Sequence, residues 1–174
     1  MARAAPAVID DLRAPHPRAA TGAEWRLIED RVMGGVSRGT MERATLCGRP
    51  ALRLRGDVRL DNDGGFVQMA LDLAPDGRPV DARGWRGIAL DAIGNGASYN
   101  LHLRTADTER PWQSWRCSFT PGAEWRSFRL PFDEFVAHRI AAPLDTARLR
   151  RIGIVAIGRA FAADIAVAGL CFFR

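Results

Sequence analysis

Two adjacent glycines, Gly34 and Gly35, stand in the segment "DRVMGGVSRG" at residues 30–39. A glycine-rich loop of this kind binds phosphate when a Lys and a helix follow it, because the amides of the helix N-terminus then face the anion. Here no Lys follows, and the chain continues into a strand predicted for residues 36–44. The segment therefore indicates a tight turn in which the two glycines supply positive φ, with a backbone anion nest as the minor alternative.

The residues that flank this turn carry charge, a hydroxyl group and apolar bulk. We expect Asp30, Arg31 and Ser37 to form an ion-pair and hydroxyl network that pins the turn, and a role in binding is the rival interpretation. Val32 and Met33 are predicted to pack inward, because large apolar side chains are usually buried.

A second glycine pair follows in the segment "LDNDGGF". Asn62 suits a turn, and Gly64 and Gly65 come directly before a strand predicted to begin at Phe66. The oxygen-bearing side chains of residues 61–63 are of the type that binds calcium, but their spacing does not match an EF-hand loop. A plain turn is the favoured interpretation, and no metal is predicted.

The histidines, cysteines and acids do not form a catalytic pattern. There are three His and three Cys residues, with no GxSxG, HExxH or CxxC motif among them. Pairs of carboxylates brought together by folding would suit a glycosidase, but the Asp residues fall mostly at predicted strand ends, where Asp is common as a capping residue. We therefore predict a non-enzyme with no catalytic residue and no cofactor, whose thiols are free in a reducing compartment.

The elements that position these residues are predicted to be strands. After Trp25 the apolar residues recur with a period of two, and clusters of Gly, Pro, Asp and Asn separate about ten such runs. No window keeps the period of 3.6 that marks a helix beyond a short turn. The fold class is therefore predicted to be all-β, with the strands forming a sandwich or a barrel.

The hairpin at residues 99–119 is predicted to have one apolar and one polar face, because alternate strand residues point to opposite sides. A sugar, a peptide or a partner surface would dock on the polar face, with Trp112 exposed at its rim. The alternative is that this polar face is an ordinary solvated sheet face that binds no ligand. The candidate binding residues are Asn100, His102, Arg104, Trp112, Ser114 and Arg116.

The overall composition and charge limit the classes of partner and the cellular location that we expect. The formal net charge is +5, and all 25 basic residues are arginine, scattered without runs. A solvated basic surface is the favoured interpretation, and RNA binding is a weaker alternative. The first residues lack a signal-peptide pattern, so we expect a cytoplasmic, bacterial protein with a flexible Pro/Ala-rich tail at residues 1–22 and a single domain at residues 23–174.

The order of several motifs resembles the complex I intermediate-associated protein 30 family. The motifs are "WRLIEDRVMGGVSRG", "LDNDGGF", "YNLHLRT", "SWRCSF", "EWRSFRLPFDEF" and "IGIVAIG". The resemblance runs from Trp25 to about Phe173 and departs from the family at Trp115, where a tyrosine is usual. It implies a jelly-roll β-sandwich of the galactose-binding type and a role in assembling NADH:ubiquinone oxidoreductase, so a protein partner is predicted. Carbohydrate binding is the alternative function, and no insertion into the membrane is expected.

Overall fold

The computed structural model describes all residues 1–174 as two packed β-sheets with 14 strands. Four short 3₁₀ turns, Asp30–Met33, Asp61–Asp63, Phe132–Glu134 and Thr146–Arg148, are the only helical segments. None of them has the length and hydrophobicity needed to cross a bilayer. The strands are β1 Arg3–Ala4, β2 Val8–Asp10, β3 Arg26–Glu29, β4 Arg38–Leu46, β5 Arg49–Val58, β6 Phe66–Asp72, β7 Val80–Asp81, β8 Gly87–Gly94, β9 Tyr99–Thr105, β10 Ser114–Phe119, β11 Arg126–Pro131, β12 Val136–His138, β13 Leu149–Ile157 and β14 Phe161–Phe173.

The all-β jelly-roll prediction is confirmed, and the strand count is corrected. In the larger sheet β3, β6, β13, β9, β10 and β12 lie side by side, and β7 extends it through a pair with β13 and one with β1. The second sheet has the order β11, β8, β14, β5, β4, with β2 on β14. The expected count of about ten missed four short strands of two or three residues, which are too brief to show a period.

The core lies between the two sheets and is filled by the apolar half of each alternating strand. Leu52 and Leu54 of β5 face Leu101 and Leu103 of β9 across this core, and all four are fully buried. Burying a side chain of this size contributes about 1.5–3 kcal/mol. The alternation read from the sequence therefore fixes which side of each strand is left for solvent or for a ligand.

The N-terminal segment packs on the sandwich, which corrects the expectation of a flexible tail. β1 pairs with β7, and β2 pairs with β14. Ile9 and Asp10 are completely buried, and the carboxylate of Asp10 accepts a hydrogen bond of 2.7 Å from Nε1 of Trp25. The Pro/Ala-rich composition did not predict this packing, because it depends on a partner residue 15 positions away.

Candidate functional site

The carboxylate of Asp30 is the centre of the first candidate site. It is fully buried and accepts hydrogen bonds from the amide and hydroxyl of Ser37, at 3.0 and 2.5 Å, and from the amides of Gly65 and Phe66, at 2.6 and 3.3 Å. A buried carboxylate needs such a set of donors to replace its lost hydration. The two glycine turns therefore meet at one anion that belongs to the chain itself.

The glycines are required here mainly by close approach. Gly34 has φ 84° and Gly65 has φ 134°, so both occupy conformations that L-residues rarely adopt. Gly35 and Gly64 do not have positive φ, but a Cβ at either position would collide with the Asp30 carboxylate. The prediction that both residues of the first pair supply positive φ is thus correct for Gly34 and wrong for Gly35.

The expected network around the first turn is present only in part. Asp30 and Ser37 are joined as predicted, and Ser37 Oγ also accepts a hydrogen bond from the amide of Arg59. Arg31 is exposed and makes no ion pair, so its predicted place in the network is corrected. In the second turn Asn62 adopts φ 57° and donates from Nδ2 to the carbonyl of Gly34 at 3.2 Å.

An exposed apolar patch covers this network. Val32 and Met33, predicted to pack inward, are 74% and 49% exposed. Val36 and Leu60 are exposed as well, and the Ser37–Arg59 hydrogen bond holds their two segments side by side. The interior at this corner is occupied by the Asp30 carboxylate and its donors, so the neighbouring apolar side chains point outward. We refer to Val32, Met33, Val36 and Leu60 as the motif patch.

The second candidate site is the polar face of the hairpin formed by β9 and β10. Their register pairs His102 with Arg116 and Asn100 with Ser118, while Trp115 and its apolar neighbours face the core. On the other side of β9, strand β13 places Gly153 beside His102. The predicted division of the hairpin into an apolar and a polar face is therefore what the structure shows, and we call the latter the hairpin face.

His102 lies at the centre of the hairpin face. Its Nε2 atom is buried and has no hydrogen-bond partner in the protein. Burial, followed by the positive charge of Arg116, His138 and Arg104, lowers the pKa of His102 to about 3. The side chain is thus neutral at physiological pH, and its Nε2 atom is enclosed by the protein and not open to a ligand.

Arg104 holds a loop and is only partly available to a ligand. Its Nη1 atom donates to the carbonyls of Arg110, Pro111 and Gln113 at 2.9–3.1 Å. These bonds fix the loop between β9 and β10, whose tip carries the exposed Trp112. Burial and the nearby Arg151 and Arg150 lower the pKa of Arg104.

The other predicted residues of the hairpin face pair with one another. Nε of Arg116 donates to Ser114 Oγ at 2.9 Å, and Ser118 Oγ donates to Asn100 Oδ1 at 2.9 Å. Ser114 is buried, so it orients Arg116 and is not itself an exposed contact. Burial, followed by the charge of Arg139, lowers the pKa of Arg116, which makes no ion pair.

Sequence reasoning missed residues that other strands bring to the same face. Strand β13 contributes Arg151, and β6 contributes Asp72 and Gln68. Arg151 Nε donates to Asp72 Oδ1 at 2.7 Å, and the pair borders Arg104. Strand order is not encoded in local periodicity, so only the hairpin partners of β9 could be recognised from the sequence.

The structure shows no group of three or more His, Cys, Asp or Glu side chains arranged to bind a metal ion. Asp61 is engaged with Arg59, with 3.2 Å between its Oδ2 and the arginine Nε. All three cysteines are free thiols.

Comparison with known proteins identifies one family and one fold for this chain. Residues 14–165 match the family described as complex I intermediate-associated protein 30. No curated protein sequence matches the chain.

Among solved structures, a family 11 carbohydrate-binding module of a cellulosomal cellulase of Clostridium thermocellum is 14% identical, with a TM-score of 0.75 over 95% of this chain and 92% of that chain. The same type of module from Clostridium thermocellum, in complex with a β-1,3-1,4-mixed-linked tetrasaccharide, is 14% identical, with a TM-score of 0.72 over 96% and 94% of the two chains. A family 30 carbohydrate-binding module is 15% identical, with a TM-score of 0.59 over 78% and 75%. At these identities the matches establish the fold alone.

The fit of Gly35 against Asp30 gives a prediction about stability. The variant Gly35→Ala places a methyl group inside the carboxylate's volume and is expected to lower the free energy of unfolding by about 1–3 kcal/mol. The matched control Gly84→Ala meets open space and is expected to be neutral or slightly stabilising. Urea denaturation of both variants measures the difference, and equal stabilities would contradict the proposed crowding.

The depressed pKa of His102 gives a prediction about pH. In the unfolded chain this histidine gains a proton below its ordinary pKa of about 6.5, whereas the folded protein resists protonation down to about pH 3. Stability is therefore lost as the pH falls from 6.5 towards 3, by at most about 1.4 kcal/mol per pH unit. The variant His102→Gln should show a shallower decline in urea denaturation between pH 7 and 5. A histidine NMR titration midpoint near 6.5 for His102 would contradict the prediction.

Proposed function

The chain belongs to the complex I intermediate-associated protein 30 family, and on that premise we propose that it is a non-enzymatic binding module that recognises a protein partner during assembly of a respiratory complex. The observation that carries the proposal is the motif patch. Solvent-exposed apolar side chains grouped on a rigid support are typical of surfaces that bind other proteins. The name of the family supplies the class of partner, an assembly intermediate of complex I.

The support beneath the patch makes it suitable for recognition. Val32 and Met33 sit on the short turn whose first residue is the buried Asp30, and Leu60 follows the residue that is bonded to Ser37. Side chains held in this way lose little conformational entropy on binding, which increases affinity. The hydrogen bonds around Asp30 thus support the fold and at the same time present a binding surface.

A photo-crosslinking experiment tests this function. A photoreactive amino acid at position 33 is expected to capture a discrete protein in the native cell, identifiable as a component of a complex I intermediate. Placing it at position 136, an even more exposed apolar position on the edge strand β12, provides the control. Adding Val32→Asp to the position-33 protein should reduce capture at least tenfold, because a charge in an apolar contact is costly to desolvate. Identical products from both positions, or none, would refute the proposal.

The hairpin face favours a second candidate, recognition of a neutral oligosaccharide. The supporting observation is the half-buried, neutral His102, flanked by Asn100 and Arg116, on a fold similar to a module described in complex with a mixed-linked tetrasaccharide. Two observations disfavour sugar binding. The cross-strand neighbours of His102, Gly153 and Arg116, offer no aromatic ring on which a sugar could stack, and Trp112 lies on the loop at the rim. The protein partner is therefore the first choice.

Calorimetric titration with β-1,3-1,4-linked tetrasaccharide tests this second candidate. If the face binds sugar, His102→Ala should weaken binding about tenfold, the value of one hydrogen bond of about 1–1.5 kcal/mol. Arg126→Gln, an exposed change on β11 of the other sheet, should leave it unchanged. The absence of heat with the unmodified protein would eliminate this candidate and leave the protein-binding proposal intact.

A further inference from the structure

A small cavity lies where the hairpin face meets the ends of β6 and β13. Its volume is about 120 Å³, and no hydrophobic residue lines it. This space is large enough for several water molecules or for one tetrahedral oxyanion. The lining residues are Asp72, Arg104, Thr108, Arg150 and Arg151.

A β-bulge brings two consecutive arginines to this cavity. The register of β13 against β9 shifts between Leu149 and Arg151, so that Arg150 has no opposite residue on β9. In a regular strand Arg150 and Arg151 would point to opposite faces, but here both line the same cavity. Bulges often redirect a side chain beside a functional site, and this one concentrates positive charge.

The cavity has a surplus of positive charge. Three guanidinium groups line it against a single carboxylate, that of Asp72. Asp72 is already shared, since it accepts from Arg151 at 2.7 Å and lies 3.5 Å from Arg26. Burial, followed by the proximity of Arg151 and Arg150, lowers the pKa of Arg104.

The arginines retain free donors. Arg151 bonds to Asp72 through Nε, and Arg150 bonds through Nε to the carbonyl of Gly77 at 3.3 Å. Arg104 uses Nη1 for the loop carbonyls. The Nη atoms of Arg150 and Arg151 make no hydrogen bond to the protein, and guanidinium groups with free Nη atoms match the oxygens of a phosphate group.

We propose that this cavity binds a tetrahedral oxyanion, either free inorganic phosphate or the phosphate group of a small organic ligand. The three guanidinium groups supply the donors, and Asp72 keeps Arg151 in place. The site is separate from the motif patch, so it extends the proposed function and does not depend on it. An anion bound here would also lie next to the loop that Arg104 holds, and would stiffen the rim that carries Trp112.

Titration with inorganic phosphate at low ionic strength, followed by calorimetry and by amide NMR shifts, tests the proposal. One saturable site is expected, with shifts concentrated at Thr108 and Arg151. Arg150→Gln should weaken binding at least tenfold, and its fold is safe because the exposed side chain makes only one long hydrogen bond. The charge-matched control Arg126→Gln should bind normally, because Arg126 lies on the other sheet.

Two further outcomes complete the test. A parallel titration with glycerol 3-phosphate separates the two sources of the anion: tighter binding than phosphate identifies an organic ligand, and equal or weaker binding identifies the free ion. The proposal is overturned if phosphate does not saturate, or if Arg150→Gln and Arg126→Gln weaken binding equally, which would indicate only the general field of a basic protein. Crosslinking at position 33 would be unaffected by either result.

Discussion

The buried carboxylate of Asp30 needs hydrogen-bond donors, and this need organises the corner of the molecule where the two glycine turns meet. Asp30 follows β3 and accepts from the start of β6 in the larger sheet and from Ser37, which leads into β4 of the smaller sheet. Ser37 in turn bonds to Arg59, beyond the end of β5. A single anion therefore joins both sheets at one corner. Each charge-assisted bond of this kind contributes about 1.5–3 kcal/mol, and removing the anion would leave several donors unpaired at once.

Because the Asp30 carboxylate occupies the space beside the glycines, the twin-glycine segment is a turn and not a phosphate cradle. The amides of Ser37, Gly65 and Phe66 do converge on an anion, but that anion is the Asp30 side chain. Gly35 and Gly64 leave room for it. In other proteins such backbone amides bind an external phosphate, and here they bind a carboxylate of the chain itself. Amide donors form the same hydrogen bonds with an anion of either origin.

The sequence alone was sufficient to predict the strands that have a strong local periodicity. The two faces of the β9–β10 hairpin follow from alternation alone, and the structure reproduces them, except that Ser114 of the polar face is buried. It was insufficient wherever a distant partner decides the outcome. Ile9 and Asp10 are buried through β14 and Trp25, and Val32 points outward because Asp30 occupies the interior. The bulge at Arg150 depends on pairing between β9 and β13, which no single strand reveals.

The chemistry of the polar groups at the two candidate sites fits the binding role that we propose. A general base works best with a pKa near the operating pH, whereas burial and neighbouring arginines lower the pKa of His102 to about 3. Asp30, which is enclosed by four donors, has no surface on which to meet a substrate. The arginines of the hairpin face stay charged at any physiological pH, so their attraction for an anion does not switch with proton concentration. At neutral pH these arginines attract negative charge, which is consistent with the recognition role that we propose.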